Sequence, residues 1–131
     1  MELRSVEELM DLLYADAHDH ALRTAALLRR GRPADKELQA AGLVHGMGRV
    51  LGDGPGETAR AAAAVRGLLG ERVHDLVRQL PGTGPADDDL VRLRQAAEES
   101  RTAAFDAGVL EDWRTVLELL AARNFRLGAV D

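Results

Sequence analysis

Glycine and proline clusters divide this 131-residue chain into short segments, most of which carry apolar residues at helical spacing. The clearest breaks are at 31–33, 52–56 and 81–85. Between them, Ala, Leu, Glu and Arg greatly outnumber the β-branched and aromatic residues that strands favour. The pattern therefore predicts an all-α protein.

The apolar stripes predict six or seven helices. Ser5 followed by Glu8 is a capping-box start for the first helix. Later helices are expected from about 88 to 104 and from 111 to about 122. The last of them carries Trp113, which we expect to anchor the core, although an exposed Trp at this position would indicate a contact in a homodimer. Connections this short favour antiparallel neighbours in a bundle.

Composition and charge exclude several classes of protein. The chain has no Cys, so it holds neither a disulfide framework nor a Cys-based metal site. Its 17 basic residues are interleaved with 22 acidic ones, which leaves no basic stripe for nucleic acid. No apolar run approaches the roughly 18 residues of a membrane span, and no export signal is visible. We expect residues 1–131 to form one cytoplasmic domain that binds neither nucleic acid nor membrane.

Four histidines are the main candidates for chemistry. His20 lies one turn after Asp16, whose carboxylate could hold the imidazole in one tautomer. His45 lies in an apolar stretch and precedes two glycines that allow backbone or ligand to come close. Taken alone, a histidine of this kind is more often a hydrogen-bonded core residue than a functional one. His18 could face the surface or a pocket, and His74 is expected to be solvated.

Two segments carry a resemblance to a known family, namely 20–25 (HALRTA) and 43–49 (LVHGMGR). They resemble the first two ligand-bearing helices of HD-domain proteins, which read HALQxA and LLHDIGH. The similarity is to the compact bacterial branch that includes diiron oxygenases acting on organophosphonates and is distantly similar to inositol oxygenase. Segments 69–73 (LGERV) and 93–101 (LRQAAEESR) resemble the family's FGERV and LRRWDDAAK, so the resemblance covers most of the chain.

The resemblance implies a single HD-like helical bundle from which most metal ligands have been lost. Gly46 stands where the family's Asp bridges two metals, and Arg49 stands where a further His binds the second metal. The family's final ligand Asp falls at Ala97. Of the ligand set only His20 and His45 remain, and two imidazoles without a bridging carboxylate cannot hold a diiron centre. We therefore expect neither a metal nor another cofactor.

A pocket that has lost its metal ions needs other groups to fill it. Arg49 supplies part of the missing positive charge, and its guanidinium can bind the carboxylate or phosphate of a substrate with two parallel hydrogen bonds. We therefore predict a metal-independent isomerase, lyase, cyclase or hydrolase that acts on a small anionic molecule. His45 and His20 would be the general acid and base, with Glu98 as their partner. The predicted substrate-binding residues are Arg49, Gly46 and His18.

Two alternatives belong to other classes of protein. One is a noncatalytic HD-like binding or scaffold protein whose histidines are satisfied in the core. The other is a metal-dependent HD-family hydrolase or oxygenase with an atypical ligand set, in which bound water does the chemistry. Its single ion would be held by His20, His45 and an acid from Asp16, Glu57 or Glu98.

Overall fold

The computed structural model describes residues 2–16, 19–52, 55–82 and 85–129, which form seven α-helices and two short 3₁₀ helices and contain no strand. This confirms the predicted all-α bundle. The α-helices are α1 (Val6–Ala15), α2 (Asp19–Gly31), α3 (Lys36–Val44), α4 (Glu57–Leu69), α5 (Glu71–Gln79), α6 (Asp88–Glu99) and α7 (Arg114–Ala129). The 3₁₀ helices are Met47–Val50 and Leu110–Trp113. None of the described helices is long and apolar enough to cross a membrane.

Acidic or hydroxyl side chains cap the starts of three helices. Ser5, Asp35 and Asp87 each accept a hydrogen bond from the backbone N–H three residues later, at 3.2, 3.1 and 2.9 Å. Each cap satisfies an N–H group that the helix itself leaves without a partner. The predicted helix start at Ser5 is confirmed.

Two predicted helices have different bounds in the structure. The helix expected from 88 to 104 ends at Glu99, where the Ser100 hydroxyl hydrogen-bonds the Ala97 carbonyl and competes with further helix. The helix expected to begin at 111 is preceded by a 3₁₀ turn and then runs as α7 to Ala129, well past the predicted end.

Helix α3 is central to the bundle, since every residue from Leu38 to Val44 is buried and the helix contacts α2, α5, α6 and α7. Small residues permit this packing. A Cβ added at Gly42 would lie only 2.6 Å from Leu28 Cδ1 of α2. The close approach of α2 and α3 holds the start of α2 beside the end of α3, which is where the candidate site lies.

Trp113 is fully buried, and the Arg29 guanidinium lies 4.7 Å from the centroid of its indole ring. A cation over an aromatic face at this distance is attracted by the π electrons. The prediction that Trp113 anchors the core is confirmed. The buried ring gives no support to a homodimer contact through Trp113, and a homodimer stays a prediction.

Candidate functional site

The two histidines of the HD-like segments meet in the structure. His20 is the second residue of α2, and His45 directly follows the last residue of α3. Their ring centroids are 5.3 Å apart, and the ring planes are inclined by 70° in an edge-to-face arrangement. Two of the predicted catalytic residues therefore form one contact pair, although they are 25 positions apart in sequence.

His45 is buried and has a defined hydrogen bond. Its Nδ1 lies 2.6 Å from the Gly42 carbonyl oxygen, and because a carbonyl only accepts, Nδ1 must carry the proton that it donates. In the neutral ring, Nε2 is then the nitrogen that can accept a proton. Burial lowers the pKa of His45, and the Gly42 hydrogen bond only partly opposes this effect. The nearby positive groups at His20 and Arg49 lower the pKa further.

His20 is partly buried and is held by a side chain from the end of α6. Its Nδ1 lies 2.9 Å from Ser100 Oγ at the end of α6, and Ser100 Oγ lies 2.8 Å from Thr24 Oγ1. Burial lowers the pKa of His20, with the positive charge of Arg23 as the next cause. The side chain that holds His20 is therefore Ser100 and not Asp16, whose two carboxylate oxygens lie 2.9 and 3.1 Å from Arg49 Nη2.

Two adjoining clefts open beside this pair. The cleft at His20 has a volume of about 490 Å³ and is lined by Asp19, His20, Arg23, Gly46, Arg49, Glu57 and Arg101. The cleft at His45 has a volume of about 870 Å³, and its polar lining includes Glu57, Thr58, Arg78, Arg94, Glu98 and Arg101. Glu57 and Arg101 border both clefts. The histidine pair therefore lies between two spaces that share a wall.

Among the residues that the structure describes, the lining of the two clefts is richer in arginine than in carboxylates, with five arginines against Asp19, Glu57 and Glu98. The whole chain has the opposite balance, with a net charge of −5. Concave surfaces of one charge sign concentrate ligands of the other sign. The clefts are therefore suited to an anion.

The structure gives the predicted binding residues different environments. Arg49 lines the His20 cleft, but its side chain is 53% exposed and is ion-paired with Asp16, with Glu57 at 3.8 Å. Gly46 lines the same cleft, and a Cβ there would lie 3.7 Å from Arg49 Nη2. Glu98 borders the His45 cleft with an 80% exposed side chain that pairs with Arg101 at 3.4 Å. His18 lies outside the described residues.

The described residues contain one group of three side chains whose ligand atoms lie close enough together to hold a metal ion, and it is Glu71, His74 and Asp75 on α5. In that part of the chain, His20 and His45 form no such group with an acidic residue. His74 was expected to be solvated, but its side chain is only 14% exposed, and Nδ1 lies 3.0 Å from Asp75. The atypical single-metal ligand set gains no support from this geometry.

Several residues of the site were not predicted from the sequence, among them Thr24, Ser100 and Arg101. Thr24 could have been found, because it lies one helical turn after His20 and so shares its face of α2. Ser100 and Arg101 are 80 residues or more from His20 in sequence, and no local signal connects them to it. Only the packing of α6 against α2 brings them to the site.

No protein-family model, no curated protein and no solved structure matches this chain. The resemblance to HD-domain proteins therefore stays a prediction based on the four sequence segments. The function has to be inferred from the site itself.

The buried histidine pair predicts that the fold loses stability in mild acid. Because burial lowers both pKa values in the fold, the unfolded chain, with histidine pKa near 6.5, binds more protons as pH falls. Stability should be constant above about pH 7 and should decrease below about pH 6.5, with a slope of at most about 1.4 kcal/mol per pH unit for each histidine.

Urea unfolding at a series of pH values between 5.5 and 8 measures this slope. His45→Asn should make it shallower, because the amide can still donate to the Gly42 carbonyl but does not titrate. His74→Asn on α5 is the matched control. It should leave unchanged the part of the slope that His20 and His45 cause. A slope that does not change in His45→Asn would contradict the prediction.

Proposed function

We propose that this protein is a degenerate HD-domain protein that works as a cytoplasmic small-molecule enzyme. It moves protons on a small anionic substrate, with His45 and His20 as general acid and base and without the family's metal centre. One observation carries the proposal: two imidazoles in edge-to-face contact at 5.3 Å lie between clefts lined by five arginines.

The electrostatics of the pair suit proton transfer near neutral pH. Both pKa values are lowered, so at pH 7 the rings are neutral and each has a nitrogen that can accept a proton. A positive charge on His20 lowers the pKa of His45, so protonation of one ring opposes protonation of the other. One ring can therefore take a proton from the substrate and return it as the acid, while the other ring stays neutral.

Arg101 is the best anchor for the anion. It borders both clefts, and its ion pair with Glu98 joins two side chains that are 67% and 80% exposed. An exposed pair of this kind contributes little, so a ligand carboxylate or phosphate can replace Glu98. Arg49 also lines the His20 cleft, and its ion pair with Asp16 holds the guanidinium in place there.

The reaction that this site can catalyse is proton transfer at a substrate atom next to the anionic group of the substrate. Isomerisation, elimination, cyclisation and hydrolysis of an activated intermediate all need a base and an acid a few ångströms apart. One or two well-placed groups of this kind supply about 10² to 10⁴ in rate.

Anion binding is tested with inorganic phosphate and with succinate as probes. Either probe should raise the melting temperature, since a ligand at 100 times its Kd stabilises the fold by about 2.7 kcal/mol. Arg101→Gln should abolish the shift. Arg66→Gln is the matched control, because Arg66 is an exposed α4 arginine paired with Glu71 and lines neither cleft.

Catalysis is tested by incubating the protein with a mixture of small carboxylates and phosphate esters and following their conversion by NMR. His45→Asn should reduce any turnover by about 10² to 10⁴ and leave the fold intact, because the amide keeps the bond to Gly42. If no anion shifts the melting temperature and His45→Asn only destabilises the fold, the protein is a noncatalytic scaffold. Activity that requires added Fe, Mn or Zn would instead favour the metal-dependent alternative.

A further inference from the structure

The start of α4 forms one wall of the His45 cleft. Four consecutive residues line the cleft there, namely Gly56, Glu57, Thr58 and Ala59, and α4 itself is 13 residues long. An α-helix leaves the N–H groups of its first turn without partners in the helix, and its aligned peptide dipoles make this end positive. The wall of the cleft therefore contains the positive end of a long helix.

Three N–H groups at this helix start are not used within the fold. The Arg60 N–H donates to the Gly56 carbonyl oxygen at 2.9 Å, so the helical hydrogen bonds begin there. No side chain caps the helix, because the N-cap residue is Gly56. Among the residues that the structure describes, no group accepts a hydrogen bond from the N–H of Glu57, Thr58 or Ala59. These three donors are available to a ligand in the cleft.

A second feature of the same cleft also points to a ligand. His45 lines the cleft although it is only 8% exposed. Its Nδ1 is bonded to the Gly42 carbonyl oxygen, whereas its Nε2 has no hydrogen-bond partner in the described part of the chain. Polar atoms of buried side chains are normally hydrogen-bonded. A ligand in the cleft would supply the partner that Nε2 lacks.

The charges around the cleft favour a phosphoryl group over a carboxylate. In the described residues, the cleft is lined by Arg78, Arg94 and Arg101, and its carboxylates, Glu57 and Glu98, are each paired with an arginine. A phosphoryl group has three acceptor oxygens and up to two negative charges, whereas a carboxylate has two oxygens and one charge. Three unused N–H groups and three positive side chains therefore suit the larger anion. Helix starts are common phosphate sites in proteins.

We propose that the start of α4 binds the phosphoryl group of a phosphorylated small-molecule substrate, with Arg101 completing the site. The inference rests on the proposed function and deepens it, because it names the class of the anion and the cleft that holds it. The N–H groups of Glu57, Thr58 and Ala59 donate to the phosphoryl oxygens. The phosphoryl group serves only for binding, and the proton transfer takes place at a neighbouring substrate atom within reach of His45 Nε2.

The site is tested with inorganic phosphate as the probe on ¹⁵N-labelled protein, with ¹H–¹⁵N spectra that report each backbone N–H. We expect the signals of Glu57, Thr58 and Ala59 to show the largest shifts, because these N–H groups gain a charged acceptor. The signals of Asp19 and Gly46, which line only the His20 cleft, should change little. If the largest shifts fall on Asp19 and Gly46, the anion binds in the other cleft and the inference is wrong.

Ala59→Asp should weaken phosphate binding by about tenfold or more, because it places a negative charge beside the bound anion. The fold should stay intact, since Ala59 is exposed and an acidic side chain in the first turn of a helix is favourable. Ala59→Asn is the matched neutral variant and should bind phosphate nearly as tightly as the unsubstituted protein. So should Ala63→Asp, which places the same charge at an exposed α4 position outside the cleft. Equal affinities in Ala59→Asp and Ala59→Asn would overturn the inference.

The outcomes separate this inference from the proposed function. If phosphate shifts the N–H signals at the start of α4 but the protein converts no phosphate ester, the phosphoryl site stands and the enzyme proposal fails. If succinate raises the melting temperature while phosphate causes no shift at the start of α4, the anion-binding proposal stands and this inference is wrong.

Discussion

Gly48→Ala is expected to lower the free energy of unfolding by about 3 kcal/mol or more, the upper end of the range for inserting a methyl group into a packed interior. A Cβ at Gly48 would lie 2.6 Å from the carbonyl carbon of Glu57, and closer still to its oxygen. These are backbone atoms of the first residue of α4, so no side-chain rotation can relieve the contact. The 3₁₀ turn and the start of α4 would have to separate.

The expected loss is large because other contacts hold the same segment. Arg60 of α4 donates Nε to the Gly48 carbonyl at 3.2 Å, Nη2 to Gly52 at 2.8 Å and Nη1 to Pro55 at 2.8 Å. Any shift that accommodates a methyl group at Gly48 disturbs these three bonds as well. Arg49 and Glu57 border the His20 cleft, so the site would be distorted with the fold.

Gly46→Ala is the matched control, two residues earlier in the same segment. A Cβ there would meet Arg49 Nη2 at 3.7 Å, an ordinary van der Waals contact, and the backbone at Gly46 has φ −94. We expect a change in stability below about 1 kcal/mol. Urea denaturation at pH 7.5 compares the two variants, and equal losses in both would contradict the steric account of Gly48.

These two glycines show what a sequence can and cannot predict. The sequence predicts that the glycines after His45 allow backbone or ligand to come close, because glycine has no Cβ. The structure confirms a close backbone approach at Gly48 and places Gly46 beside the His20 cleft instead. Which glycine serves which purpose depends on where α4 packs, and no local pattern contains that information.

The fold was predictable where local signals determine it. Helix starts such as Ser5 follow from side-chain caps, and helical spacing of apolar residues is a strong signal. The end of α6 was not predictable, because Ser100 turns its hydroxyl toward Ala97, Thr24 and His20, and two of these three residues belong to α2. Tertiary contacts decided that boundary.

The site was only partly predictable for the same reason. The family resemblance predicts a common pocket for His20 and His45, and the structure places them in contact. It cannot predict that Asp16 pairs with Arg49 and not with His20, because a carboxylate between a guanidinium and an imidazole can bind either. Charge partners depend on side-chain positions that only the packed bundle fixes.

Trp113→Ala is expected to lower the free energy of unfolding by about 3–5 kcal/mol, the range for removing a large aromatic side chain from a core. Trp113 is fully buried at the junction between the 3₁₀ turn Leu110–Trp113 and α7. The substitution leaves a cavity that rigid neighbouring helices cannot fill, and it removes the stacking surface of Arg29. Thermal and urea unfolding measure the loss.

Trp113→Phe distinguishes the apolar from the polar contribution of the ring. Trp113 Nε1 is buried without a hydrogen-bond partner among the described residues, and a buried donor left in this way costs about 1–3 kcal/mol. Phenylalanine removes that donor and keeps an aromatic face for Arg29. These two effects offset much of the free energy lost because the phenyl ring is smaller than the indole. We therefore expect Trp113→Phe to change stability by less than about 1.5 kcal/mol, against the several-fold larger loss in Trp113→Ala. If Phe were as destabilising as Ala, the indole N–H would have to make a stabilising contact, contrary to the geometry of the ring.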